Sequence, residues 1–165
     1  MGIRSRIPAR AESVHEFSCG LEDRFWDGLE LLMVDHRAGG IYLMGFAAEM
    51  ILKLACCRID GMRPNDRISV WLGTVRSWAK RNLPGVDPEH FHSIFFWTQA
   101  YKFKRAMAGA SNPPLIAELD RRMSRLHENW LVDMRYVDDR SLPAEADEVY
   151  DDVAWIRDQY LQGLL

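Results

Sequence analysis

Arg122 and His127 stand with four residues between them, and this pair of residue types can cleave RNA. An imidazole moves a proton to or from a ribose 2′-hydroxyl or the leaving oxygen, while a guanidinium stabilises the charge of the phosphorane. The two positions lie roughly 140° apart around one helix. Joint action therefore requires a second subunit across a symmetric interface, or rotamers that reach around. A histidine at the margin of a core gives the same pattern.

Arg135 and Tyr136 form a second candidate pair, pointing away from the apolar seam of their helix within an acidic region. They are either a binding pair or partners in a local ion pair with Asp133, Asp138 or Asp139. Glu49 and Lys53 form a third pair, with the acid N-terminal, an order worth about 0.2–0.5 kcal/mol on a helix surface. His90 and His92 are two apart, which turns them about 200° from each other on a helix, and no cysteine or carboxylate cluster completes a metal site. They read as a histidine pair at a helix start. No strand-turn-helix context presents a serine nucleophile, and no glycine-rich phosphate loop follows a strand. The chain thus carries no cofactor motif.

The elements that must position these residues are helical. Ala38 to Cys57, AGGIYLMGFAAEMILKLACC, is apolar around most of a helix, with Tyr42, Glu49 and Lys53 in one narrow polar stripe. It reads as a central core helix wetted only along that stripe. A membrane span of that length would place Glu49 and Lys53 in its central and later turns at about 2–3 kcal/mol each, so the core reading is preferred. Before it, Leu21, Phe25, Leu29 and Leu32 mark an amphipathic helix over about 21–35, and residues 1–20 read as a loose arm. Gly39 and Gly40 make the turn between the two helices, although a helix N-terminus there can also hold an anion.

A third helix begins at an Asn65 or Asp66 cap, with Ile68, Trp71, Leu72, Val75, Trp78 and Ala79 inward. Asp87 and Pro88 start a fourth, with Phe91, Ile94, Phe95, Thr98, Tyr101 and Ala106 on one face. The fifth, about 114–137, carries Ile116, Leu119, Met123, Leu126, Trp130 and Val137 in near-heptad spacing. Ser141 caps a sixth, with Val149, Val153, Ile156 and Tyr160 inward. No segment alternates with period two. The pattern predicts one all-α domain over 21–165, an antiparallel helical bundle of five or six helices.

Composition narrows the function classes. A net charge of -3 argues against whole-chain attraction to nucleic acid, yet charge is uneven: Arg58 to Arg81 holds six basic and two acidic residues, and Glu128 to Asp152 nine acidic and two basic. Cys19, Cys56 and Cys57 have no metal-ligand spacing. Cys56 and Cys57, adjacent on the core helix, read as small apolar residues, which points to a reducing, cytoplasmic home.

Gly40 to Lys53, GIYLMGFAAEMILK, resembles the second-helix signature of the HEPN superfamily (higher eukaryotes and prokaryotes nucleotide-binding). Arg135 and Tyr136, followed by Ser141 to Ile156, SLPAEADEVYDDVAWI, resemble its Arg-Tyr-Pro element and last helix, and His90 matches a histidine that often opens the intervening helix. The resemblance implies a compact HEPN-like bundle, commonly a homodimer, with a nucleotidyltransferase-like partner in a toxin-antitoxin or defence system. It further implies metal-independent RNA cleavage by an Arg followed four to six residues later by a His. Arg135 has Arg140 five positions on, and no histidine follows His127. The expectation is a catalytically silent HEPN-like module that binds a partner protein, RNA or a nucleotide through Glu49, Lys53, Arg135 and Tyr136. The alternative is a ribonuclease in which Arg122 and His127 of two subunits meet.

Overall fold

The computed structural model describes residues 13–87, 92–130 and 141–165. Their helices are α1 (Val14–Met33), α2 (Arg37–Ile59), α3 (Ile68–Asn82), α4 (Ile94–Met107), α5 (Pro113–Asn129) and α6 (Pro143–Leu161). Among the described residues no strand forms beyond one isolated bridge between Ser13 and Arg67. The chain is an all-α helical bundle.

α2 is its axis. Met44, Ala47, Ala48, Ile51, Leu52 and Ala55 are completely buried, each large side chain contributing about 1.5–3 kcal/mol relative to exposure. α1, α4 and α6 pack on α2, and α5 closes the bundle against α4 and α6. Among the described residues α2 is the one helix long and apolar enough to cross a membrane, and 78% of its most apolar window is buried inside the bundle. Its apolar surface is spent on neighbouring helices.

The α1–α2 junction differs from expectation in an informative way. The turn is Val34 to His36, with Asp35 at φ 65° and the His36 and Asp35 N–H groups donating to Leu31 and Leu32 carbonyls at 2.9 and 3.1 Å. This is a Schellman ending with Asp instead of Gly in the left-handed position. Gly39 and Gly40 sit inside the first turn of α2, where they permit contact rather than bend the chain. A Cβ on Gly40 would lie 2.4 Å from Leu32 Cδ2, and one on Gly28 would lie 3.1 Å from Met44 Cγ. Small residues on both helices let their backbones approach closely.

Other boundaries also shift. α1 starts at Val14, so residues 14–20 of the expected arm are helix. Ser13 and Glu16 form a capping box, and the Val14 and His15 N–H groups donate to Asp66 and Pro64 carbonyls at 3.0 and 2.9 Å. α3 is capped at Arg67 rather than Asn65 or Asp66, because the Asp66 carboxylate accepts from the Arg63 N–H at 2.7 Å. α4 begins at Ile94 with Ser93 as its cap, not at Asp87. Its buried side chains are Ile94, Phe96, Trp97, Thr98, Ala100 and Tyr101, while Phe95 is 48% exposed. α4 is covered on two sides, by α2 and α5, and Trp97 stacks on Trp71 of α3 with ring centroids 5.8 Å apart.

The end of α5 carries the largest difference. The helix stops at Asn129, and Trp130 takes extended geometry, φ -127° and ψ 126°. Its indole lies over Gly45 of α2, where a Cβ would come within 2.1 Å of the ring, and Nε1 donates to the Tyr42 carbonyl at 3.1 Å. Burying a large aromatic with its N–H satisfied outweighs one more helical turn. Val137 lies outside the described residues. α6 is capped at Leu142 rather than Ser141, its N–H donating to Glu145 at 2.7 Å.

Candidate functional site

Arg122 projects from α5 toward α6, where it is held on several sides. Its Nε donates to Glu118 at 2.6 Å, and Nη1 donates to Asp152 Oδ1 and the Asp151 carbonyl, both at 3.1 Å. The guanidinium also rests over the Trp155 ring, 5.1 Å from its centroid. Asp152 is fully buried and takes a two-pronged contact from Arg125, at 2.8 and 2.5 Å. Two guanidiniums thus neutralise one buried carboxylate, the arrangement that burial of a charge demands. Hydrogen bonds from Arg121 and then Arg122 hold the Glu118 carboxyl down at about 2. Asp152 raises Arg125 further above its ordinary range, chiefly through their hydrogen bonds.

His127 occupies the last turn of α5 and is exposed. Its ring tilts against Phe95 at 6.3 Å between centroids. No described hydrogen bond or ring contact joins it to Arg122. Arg135, Tyr136 and His90 lie outside the described residues.

Glu49 and Lys53 do meet, but not on a wetted stripe. Their side chains are 2% and 7% exposed and form a direct ion pair. The stripe faces the start of α4: Lys53 Nζ lies over the Trp97 ring, 5.2 Å from its centroid. His92 Nδ1 approaches the same Glu49 oxygen at 3.2 Å, an arrangement in which Nδ1 carries the proton and donates. The second carboxylate oxygen, Oε2, is buried with no hydrogen-bond partner.

Lys53 also borders a cleft of about 680 Å3 between α1, α2 and α3. Its apolar wall is Phe17, Met50, Ile68 and Leu72; Arg24, Lys53 and Arg76 also line it, and among the described residues no carboxylate does. Gly20, Ser69 and Gly73 leave room. Spacing along the chain does not single out this place, because its residues come from three helices. A signal is present on α3, where Ser69, Gly73 and Arg76 recur at helical spacing and put two small residues beside a cation.

The basic stretch Arg58 to Arg81 resolves into two parts. Arg58 is tied to the chain's end, Nη1 donating to the Leu165 and Tyr160 carbonyls at 2.9 and 3.1 Å. Arg63, Arg67, Arg76, Lys80 and Arg81 are all exposed, and α3 carries no acidic residue. The expected acidic counterpart is partly internal, since Asp152 lies beneath its two arginines. Among the described residues no group of three or more His, Cys, Asp and Glu stands together as a metal cluster.

Comparison with protein-family models, curated proteins and solved structures finds no match for this chain.

Proposed function

We propose that the chain is a catalytically silent, HEPN-like helical module that works by binding RNA, as a homodimer in the cytoplasm, within a toxin-antitoxin or defence setting that supplies a nucleotidyltransferase-like partner. The observation that carries the silent reading is the engagement of Arg122 by Glu118, Asp152 and the Asp151 carbonyl. A guanidinium that must stabilise a phosphorane has to face the scissile phosphate, and this one faces a buried carboxylate on its own chain. RNA is favoured over other ligands by the exposed basic residues of α3 and its entry, since phosphate neutralisation by Arg and Lys supplies most non-specific affinity.

The competing reading is a metal-independent ribonuclease in which Arg122 of one subunit meets His127 of another; the exposure of His127 supports it. Incubating purified protein with total RNA in EDTA, beside His127→Ala, separates the two. The binding module leaves the RNA intact. Cleavage that survives EDTA and disappears in His127→Ala overturns the silent reading. Sedimentation velocity supplies the oligomeric state in the same buffer.

A further inference from the structure

We infer that the seam between α1 and α6 is a docking surface for a basic amphipathic helix of a partner protein. α6 runs alongside α2 in the same direction. Near its start Arg37 donates to the Ser141 carbonyl at 3.5 Å, and near its end Arg58 donates to the Tyr160 carbonyl at 3.1 Å. α1 turns back into α2 at Val34 to His36, so α1 and α6 are antiparallel. Arg157 fills the seam between them. It donates to Glu22 at 2.6 Å and lies over the Phe25 and Trp26 rings, 4.7 and 5.5 Å from their centroids. Glu22 thereby neutralises its charge within the chain.

Apolar side chains line both sides of the seam. Trp26 and Met33, seven apart, share one side of α1, while Tyr150 and Leu161 lie within about 40° of Arg157 around α6. The four are between 37% and 78% exposed. Scattered apolar residues on a surface are ordinary, whereas a stripe of them marks an interaction site. From Tyr150 to Leu161 the stripe runs about 16 Å at ~1.5 Å per residue, the length of about three helical turns.

Charge selects the occupant. Asp23 and Glu30 follow Trp26 around the outer side of α1, within about 60° of it, and Asp147, Asp151 and Asp158 follow Leu161 around the outer side of α6, within about 80°. All five are exposed, and among the described residues none of their carboxylates has a hydrogen bond or ion pair. An apolar stripe with acid along both rims complements a helix that presents apolar residues at i, i+4, i+7 and i+11 with Lys or Arg beside them. The same rims repel RNA and anionic lipid. A second copy seated here would set acid against acid, so the homodimer proposed above uses another face.

The test is fluorescence anisotropy of a labelled amphipathic peptide of about four helical turns, leucine on one face and lysine on the other, titrated with the full chain. Saturable one-to-one binding is expected. The same peptide with Glu for every Lys should bind at least about tenfold more weakly. Trp26→Ser and Leu161→Ser should each weaken binding about tenfold or more, with circular dichroism unchanged because both side chains are exposed. Val70→Ser, at an exposed apolar residue of α3, should leave affinity as it is. Asp147→Asn with Asp158→Asn should flatten the salt dependence. The inference is overturned by absence of binding, by affinity unchanged in Trp26→Ser and Leu161→Ser, or by equal affinity for the Glu peptide. Self-association of the chain alone that both serine variants abolish, read by sedimentation velocity, gives the seam to a second copy and also overturns it. RNA does not enter this readout, so it stands or falls apart from the RNA-binding reading.

Discussion

Replacing Gly45 by Ala tests whether the Trp130 insertion organises the end of α5. The new methyl carbon would lie 2.1–2.3 Å from Cδ1, Nε1 and Cγ of the indole, well over 1 Å short of the ~3.5 Å at which carbon atoms pack. The ring must retreat. That movement breaks the Nε1 bond to the Tyr42 carbonyl and disturbs the edge-to-face contact with Phe46, whose centroid is 5.5 Å away. Overpacking costs about 1–3 kcal/mol, the hydrogen bond about 0.5–1.5 and the aromatic contact about 0.5–1.5, while Ala for Gly inside a helix returns about 1. The net expectation is a loss of about 1–5 kcal/mol, or roughly 2–20 °C in Tm for a chain of this size.

Gly73→Ala is the matched control. Its Cβ enters open space, so it gains helix propensity alone and should stabilise by about 0.5–1 kcal/mol. Urea unfolding and thermal scans of both variants provide the assay. In a Trp130→Ala background the penalty of Gly45→Ala should vanish, because the clashing ring is gone. A Gly45→Ala protein as stable as Gly73→Ala would refute the placement of Trp130.

Further outcomes follow from the charged pairs and the buried thiols. Asp152→Asn removes the carboxylate beneath Arg122 and Arg125; with those side chains 18% and 31% exposed and thus within reach of water, urea unfolding should show a loss of about 2–4 kcal/mol. Arg121→Gln, at a pair whose arginine is 53% exposed, should leave the urea midpoint nearly unchanged. Glu49→Gln strands Lys53 in a buried site and should cost about 3–5 kcal/mol, whereas Glu49→Met with Lys53→Met recovers most of that loss, read as a coupling in a double-mutant cycle. Native protein should expose one fast-reacting thiol, Cys19, since Cys56 and Cys57 are buried. Burial pushes both buried thiols up, Cys57 to about 12. The folded chain therefore keeps protons that unfolded thiols release above about pH 8.5. Stability is retained below that value and falls as pH rises from there toward 12, by at most about 1.4 kcal/mol per pH unit for each thiol. Cys56→Ala with Cys57→Ala should flatten that slope.

Much of the fold is legible in the sequence because local periodicity dictates it. Leu21, Phe25, Ile68, Trp71, Val75, Leu119, Met123, Leu126, Val149, Val153 and Ile156 are all buried as spacing predicts. What spacing cannot reveal depends on contacts between segments distant in the chain. Asp35 replaces glycine at a helix ending, so glycine content points the turn to Gly39 and Gly40, whose absent side chains instead serve the packing of α1 on α2. Trp130 continues the heptad of α5, yet the pocket over Gly45, 85 positions earlier in the sequence, draws it out of the helix. The Glu49 and Lys53 pair is legible as a pair, but its burial depends on Trp97 arriving from α4 and His92 from the turn before it. Asp152 reads as one acid among many in a solvated run, and only the approach of α5 makes it the charge that holds Arg122. The resemblance to HEPN proteins rests on short motifs, of which Gly40 to Lys53 forms the buried axis and Arg135 with Tyr136 lies outside the described residues.

The central claim, that the chain binds RNA without cutting it, is tested most directly by fluorescence anisotropy of a labelled single-stranded RNA across a salt series in EDTA, with each sample then run on a denaturing gel. The account predicts saturable binding, intact RNA, and a salt slope reduced by about 2 when Arg67, Lys80 and Arg81 are all changed to Gln, at ~0.7 for each phosphate that the variant no longer neutralises. Cleaved RNA, or a slope unchanged in the triple variant, would contradict it.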